Sequence, residues 1–405
     1  MVDRLVGAGA APARDVGDVT ARGERIDVVV PVRDRPEALD RCLAALVASN
    51  AGRVVVVDDG SVDAVGHRSV AEAHGATLVR LERHGGPAGA RRAGYAATTT
   101  DLVAFVDSDI EVTPEWPGAL LAHFDAPDVG VVAPRVAHES SAVRPGVVDR
   151  YEAASSPLDL GDRPAPIAAG TRVSYVPAAA LVVRRTAYDA VGGFDPDLLV
   201  GEDVDLLWRL ADAGWRGRYE PAVTVGHRGR SDVVSMLRRR VDYGRSAAEL
   251  DLRHPGALPP LRGSRWSVAV VGLAAAGHPV AALGLAGWTV AAMRRKLGAL
   301  DDASAVSLRL VALGHLGFAR QVARASVRPW LPFTLVAALV SRRARRLAAV
   351  AILVEPLTSW RRRRPDVGLP AWSALSLADD VAYSVGVWAG CIRRRSWGAL
   401  RPEIG

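Results

Sequence analysis

The sequence predicts an α/β fold: a mostly parallel sheet with helices on both faces, followed by an α-helical, hydrophobic and Arg-rich C-terminal region. Three observations predict it. Apolar, β-branched runs without polar alternation recur between helical segments in the first part of the chain, as strands buried on both faces do. Carboxylates stand directly after several of these runs, and open α/β sheets gather functional groups at the carboxyl ends of their strands. Charge is split along the chain: residues 261–405 hold 21 Arg or Lys against 7 Asp or Glu, net +14, while residues 1–260 carry a net −7.

Residues 1–25 are rich in Ala, Gly and charge and lack the apolar core of a secretory signal. They are expected to form a loose tail, with the following domain on the cytoplasmic side. IDVVVPV (26–32) predicts the first strand. After a turn at 33–35, Pro36 suits a first helical position. Leu39, Leu43, Leu46 and Val47 then recur with helical spacing. RVVVV (53–57) predicts a second strand, AVGHRSVAEAHGA a helix, TLVRL (77–81) a third strand, and residues 88–97 a helix leading to the strand LVAFV (102–106). Residues 134–172 are Pro- and Ala-rich and read as an excursion. VSYVPAAALVV (173–183) reads as a returning strand, TAYDAVGGFD as a short helix closed by a Gly-Gly turn, and VDLLWRLADAG (204–214) as a helix. The chain thus divides into a tail at 1–25, an α/β domain at 26–260 and a helical, membrane-associated region at 261–405.

With 405 residues, 49% of them hydrophobic, the chain has ample material for a large core. Two cysteines, Cys42 and Cys391, exclude a disulfide framework and a Cys-based zinc site. The acidic front portion carries no nucleic-acid-binding motif, so nucleic acid is not an expected partner. The basic C-terminal region points instead to an anionic membrane surface. Residues 266–293 run for 28 positions without Asp, Glu, Lys or Arg, longer than the roughly 20 that span a bilayer. Gly277, His278 and Pro279 interrupt the run. A membrane span, a re-entrant hairpin and a buried core hairpin all fit this pattern. WLPFTLVAALV (330–340) and LAAVAILV (347–354), separated by SRRARR, read as interfacial helices.

Four carboxylate groups fall at strand or turn ends: Asp34, Asp58-Asp59, Asp107-Asp109 and Glu202-Asp203. A DDG after a strand is often only a turn. Asp-Ser-Asp after a buried strand is more telling, because residues two apart share a side and two such carboxylates need a cation between them.

The ordered set VPVRD, VVVVDDGS, GGPAGARRAG, FVDSD, GGFD and GED resembles the family 2 glycosyltransferases, which have the Rossmann-like GT-A fold. RRRVDYGRSAAELDLRHPG (238–256) and the Arg-rich tail add a likeness to the glycosyltransferases of mycofactocin biosynthesis. The resemblance implies an inverting, metal-dependent transfer. The donor would be a nucleotide sugar, UDP-glucose. The acceptor would be a peptide-derived redox cofactor, pre-mycofactocin or mycofactocin, extended by a β-1,4-linked chain. It implies Asp109 as direct ligand of Mg2+ or Mn2+, with Asp107 on the same ion and the ribose. It further implies Asp203 as general base, with Glu202 positioning the acceptor.

A carboxylate at Asp58 or Asp59 can accept from a uracil N–H or a ribose hydroxyl, with Asp34 and the backbone near Pro31 completing the base pocket. Gly85, Gly86 and Gly89 permit a tight loop before a helix N-terminus, where anions are favoured. Arg91 follows for the donor; Arg92 stands where the family usually has Asn. His227 is a candidate third metal ligand. Arg238, Arg239, Arg240 and Tyr243 resemble a basic-aromatic diphosphate clamp. Plainer readings stand beside these: a helix cap for Asp203, a solvated Asp205, a core Trp208, and a basic helix against a membrane for Arg239 and Arg240. Alternative functions are transfer to a polyprenyl phosphate or cell-wall glycan, and a non-catalytic nucleotide-sugar-binding membrane module.

Overall fold

The computed structural model of the protein describes residues 26–140, 144–228, 232–299 and 301–405. The expected tail at 1–25 lies outside the described residues. The chain divides into two compact units, Met1–Asp232 and Val233–Gly405.

In the first unit, strands and helices alternate: β1 (Ile26–Val32), α1 (Pro36–Ala48), β2 (Val54–Asp58), α2 (Ala64–Ala73), β3 (Thr77–Arg80), α3 (Gly86–Ala96), β4 (Leu102–Val106) and β5 (Ile110–Glu111). The unit continues with α4 (Trp116–Leu121), β6 (Val129–His138), α5 (Val147–Ser155), β7 (Ala165–Ile167), β8 (Ala180–Arg184), α6 (Arg185–Ala190), α7 (Glu202–Asp212) and β9 (Arg216–His227). Among the described residues these form a nine-stranded sheet in the order β3-β2-β1-β4-β8-β6-β9-β5, with β7 also on β9. β3, β2, β1 and β4 are mutually parallel; β8 enters antiparallel to both β4 and β6, and β9 runs parallel to β6. The main strand direction therefore persists across the sheet, and the α/β expectation holds.

Helices cover both faces because the strands are apolar on both. Val28, Val30 and Val32 of β1 pack in one core with Leu39, Leu43 and Leu46 of α1 and Trp116 of α4. Val29 packs in the other with Ala88 and Ala90 of α3, Tyr188 of α6 and Leu206 of α7. Each fully buried valine stabilises by roughly 1.5–3 kcal/mol relative to exposure, so both layers hold the strand ends in place. α1 begins at Pro36 as expected, but its buried face is Leu39, Cys42, Leu43 and Leu46, with Val47 turned outward.

The returning strand is shorter than 173–183. β8 starts only at Ala180, because Pro177 has no N–H to give a ladder and the Ala178 N–H donates to Asp203 Oδ2 (3.2 Å). β6 and β9 were not anticipated as strands. Asp205, expected to be solvated, is 1% exposed and its carboxylate accepts from Arg209 Nε (2.8 Å).

The second unit is helical: α8 (Val233–Arg253), α9 (Arg265–Ala275), α10 (Pro279–Lys296), α11 (Ala303–Val327), α12 (Leu331–Val340), α13 (Arg342–Arg363) and α14 (Leu369–Arg394), with a short pair of strands, β10 (Arg262–Gly263) and β11 (Glu403–Ile404). α8 lies along α14 with almost no space between the backbones: a Cβ on Gly244 would meet the Tyr383 carbonyl oxygen at 2.3 Å. That packing places α8 in the second unit, whereas the sequence set the boundary near residue 260. The apolar run at 266–293 is two helices broken at Gly277 and His278. Among the described residues, no helix is long and apolar enough to cross a membrane. Nor is the pair a buried core hairpin: only Ser267 and Val270 of α9 and Ala282 and Thr289 of α10 are buried.

Candidate active site

The sheet order sets the carboxylates side by side. β2, β1 and β4 are neighbours, so their carboxyl ends bring the residues after them together. Asp58 ends β2, the 33–35 turn follows β1, and Asp107 to Asp109 follow β4. Pro31 sits in β1 opposite Val57. The Asp34 turn is tied to the β2 end: its N–H donates to Ser61 Oγ (3.0 Å) and its Oδ1 accepts from the Val62 N–H (2.8 Å).

Asp58 is fully buried at 0% exposure and both its oxygens are engaged, by the Ser61 N–H (2.9 Å) and by Arg80 NH1 (2.5 Å). Here it shapes the loop end. Asp59 accepts from the Gly85 N–H at 2.6 Å, and its other oxygen lies 2.7 Å from His84 Nδ1. That bond ties β2 to the loop entering α3. Gly86 opens α3 with φ of +76°, a left-handed conformation that glycine adopts without a Cβ penalty.

Arg91, 3% exposed, is the centre of the cluster. Its NH2 donates to Asp107 Oδ1 (2.7 Å) and its NH1 to Glu202 Oε1 (2.8 Å). Burial alone would lower its pKa, but Asp107 and Glu202 outweigh that and raise it. Arg92 donates to the carbonyls of Gly192 and Phe194 (3.2 and 3.1 Å), so it fastens the Gly-Gly turn.

Glu202 and Asp203 stand in the first turn of α7, after Gly201. Gly201 holds φ of +85° and occupies the cap position, so Asp203 is not the helix cap. The Asp203 carboxylate accepts only backbone N–H groups, from Val204 (2.8 Å) and Ala178 (3.2 Å). Among the described residues it has no ion-pair partner. Burial first, then the neighbouring Asp203, raise the Glu202 carboxyl to about 7 against the pull of Arg91. Burial raises Asp203 as well.

Asp109 and His227 meet because β5 pairs with the end of β9, Ile110 opposite His227. His227 Nε2 lies 3.7 Å from Asp109 Oδ2. Burial pushes Asp109 up, but His227 and Arg35 more than offset it and its pKa is lowered. Ligand bonds of about 2.0–2.2 Å allow two atoms at this separation to share one ion. Among the described residues no group of three or more His, Cys, Asp or Glu is arranged to hold a metal. The residues fit a hard cation that takes its remaining ligands from water and phosphate, as Mg2+ does.

Arg240 is buried and its Nε donates to Asp379 (2.8 Å) inside the second unit. Arg240, expected at a donor diphosphate, is thus engaged by Asp379; Arg239 is partly exposed on the same helix. Trp208 is a core residue, its Nε1 donating to the Ser174 carbonyl (2.7 Å). Sequence reasoning missed Arg35, whose NH1 donates to Asp109 Oδ2 (2.8 Å). The available signal was an arginine at a helix cap, a position that favours Ser, Thr, Asp or Asn. It also missed Arg80, whose match to Asp58 depends on β3 lying beside β2.

The family described as Glycosyl transferase family 2 matches residues 27–191. The Pre-mycofactocin glycosyltransferase of Mycobacterium tuberculosis (strain CDC 1551 / Oshkosh) is 41% identical over 390 residues, 94% of this chain and 82% of that protein. The Poly-beta-1,6-N-acetyl-D-glucosamine synthase of Staphylococcus aureus (strain COL) is 25% identical over 205 residues, 49% of this chain and 48% of that one. Among solved structures, mannosyltransferase PcManGT from Pyrobaculum calidifontis in complex with GDP-Man and Mn2+ is similar at TM-score 0.52 and 18% identity, over 96% of this chain and 92% of that chain. The last likeness concerns the fold. Motif order, sheet topology and a relative matched over most of both sequences converge on one assignment: the chain belongs to the family 2 glycosyltransferases and is a glycosyltransferase close to pre-mycofactocin glycosyltransferase.

Proposed function

We propose that the enzyme transfers glucose from UDP-glucose, with inversion, to pre-mycofactocin or mycofactocin and extends a β-1,4-linked chain there. One observation carries the chemistry: Asp203 is a carboxylate with raised pKa and, among the described residues, no ion-pair partner, set beside a carboxylate pair that Arg91 locks in place. Single displacement needs one base for the acceptor hydroxyl, and Asp203 is free to take that proton. Glu202, held by Arg91, is fixed as an acceptor for a second hydroxyl. Asp107, held by the same guanidinium, is assigned to the donor. A divalent cation, Mg2+ or Mn2+, would be held by Asp109 and His227 with Asp107 beside it, and would neutralise the leaving diphosphate. The acceptor reading rests on the 41% identity over 94% of this chain and 82% of the relative.

The test is incubation of the purified full chain with the peptide-derived cofactor and each nucleotide sugar, followed by mass spectrometry. Successive hexose increments on the cofactor with UDP-glucose are the expected result. An unmodified cofactor, with hexose found instead on polyprenyl phosphate added to the same incubation, would move the assignment to a polyprenyl phosphate acceptor.

The second unit supports work at the cytoplasmic face of the membrane. α12 has no buried residue; Phe333, Leu335, Val336, Leu339 and Val340 are exposed, Val340 at 84%. Four arginines, Arg342, Arg343, Arg345 and Arg346, follow at once. Apolar side chains beside clustered arginines suit insertion into one leaflet of an anionic bilayer. The protein is expected to co-float with phosphatidylglycerol vesicles and less with phosphatidylcholine vesicles. Phe333→Asp with Leu339→Asp should reduce flotation; equal recovery in the soluble fraction with both lipids would rule the reading out.

A further inference from the structure

Asp109 has a partner that its proposed role does not require. Arg35 caps α1, and its main chain is tied on both sides. Its N–H donates to His67 Nε2 (3.3 Å), and its carbonyl accepts from the Leu39 N–H (3.1 Å). His67 is itself buried, with Nδ1 2.7 Å from the Asp63 carbonyl oxygen. The main chain of Arg35 is thus held, while its side chain, 37% exposed, reaches Asp109.

The oxygen it takes is the informative detail. Arg35 NH1 lies 2.8 Å from Asp109 Oδ2, the same oxygen that His227 Nε2 faces at 3.7 Å. With both side chains as they stand, a cation shared by Asp109 and His227 would take that oxygen. Guanidinium and metal ion therefore compete for one atom.

We propose that Arg35 is an exchangeable counter-ion for Asp109. It neutralises the carboxylate until a divalent cation arrives with a nucleoside diphosphate, and then transfers its hydrogen bonds to the diphosphate oxygens. A planar guanidinium is well matched to phosphate oxygens, and an anchored main chain keeps it within reach of Asp109. Arg35 is a donor-binding residue in this scheme. It makes metal binding depend on the nucleotide: the ion alone must break a salt bridge, whereas ion and diphosphate together replace it. Such coupling is reciprocal and amounts to roughly 5- to 150-fold in affinity for typical linked sites. The inference rests on the proposed metal site at Asp109.

Isothermal titration of Mn2+ into the full chain, with and without UDP, tests it. The wild type is expected to bind Mn2+ more tightly when UDP is present. Arg35→Gln should bind Mn2+ alone several-fold more tightly than the wild type and lose most of the UDP-dependent gain. Arg35→Lys, which keeps the charge, should fall between them. Circular dichroism verifies that each variant is folded. Unchanged or weaker Mn2+ binding without UDP in both variants overturns the counter-ion role. Asp109→Asn separates that failure from a failure of the site: if the wild type and Asp109→Asn bind Mn2+ alike, the metal site is wrong and the counter-ion role falls with it.

Discussion

Asp203→Asn is expected to lower kcat by about 10²- to 10⁴-fold, the usual range for loss of a general base, with UDP affinity unchanged. The substitution keeps the shape and one of the two backbone hydrogen bonds, because the Val204 N–H donates to Oδ1 and the Ala178 N–H to Oδ2, and an amide nitrogen accepts neither. What it removes is proton affinity. The pH profile sharpens the test. Burial and the neighbouring Asp203 raise the Glu202 carboxyl to about 7, and burial raises Asp203, so the pair takes up its protons at higher pH than ordinary carboxylates do. A base works only when deprotonated, so kcat/KM of the wild type should fall as pH drops through this region. In Asp203→Asn the repulsion on Glu202 is gone, so any residual acid limb should move to lower pH. A variant that turns over normally, or one with an unmoved limb and near-normal kcat, would assign the base elsewhere.

Local pattern was enough to read the strands that carry the site. β1, β2 and β4 are short runs buried on both faces, and such runs stand out without any knowledge of their neighbours. The carboxylates after them were legible for the same reason. β9 was harder: in RGRYEPAVTVGH the buried positions alternate with partly exposed ones, yet Pro221 and three charged residues give it the composition of a loop. Missing β9 cost the reason for the position of His227, which reaches Asp109 only through the β5–β9 pairing. Partners were the least legible feature. Arg91 was recognisable as a residue near a helix start, but its simultaneous grip on Asp107 and Glu202 depends on how α3, β4 and α7 pack. No spacing rule encodes that, because the distances are set by the tertiary fold. Arg35 was hidden by its own position, a turn residue before a helix that only the cleft reveals as a charge partner.

Arg91→Met is the second large effect, and it falls on stability. The side chain is nearly fully buried and neutralises two carboxylates, one from the β4 end and one from α7. Methionine has a similar length, so the loss is mainly of charge. Removing one partner of a buried ion pair costs about 3–5 kcal/mol, since the remaining charge is left uncompensated. The sign of the pH dependence follows from Glu202. Its carboxyl is raised to about 7 in the folded protein, above its ordinary value of 4.5. A carboxyl raised on folding contributes stability that is present below the ordinary value and is lost as pH rises through the folded one. Without Arg91 the folded value moves higher still, because the group that favours ionisation is gone. The deficit of Arg91→Met should therefore be largest near pH 8 and shrink toward pH 5, where a protonated Glu202 needs no counter-charge. Urea unfolding of the wild type and the variant at the two pH values reads this directly, following the transition of the α/β unit through a probe confined to it. An equal deficit at both would mean that Arg91 acts by packing, through its stacking on Phe194 at 5.4 Å, and not as the shared counter-charge of Asp107 and Glu202.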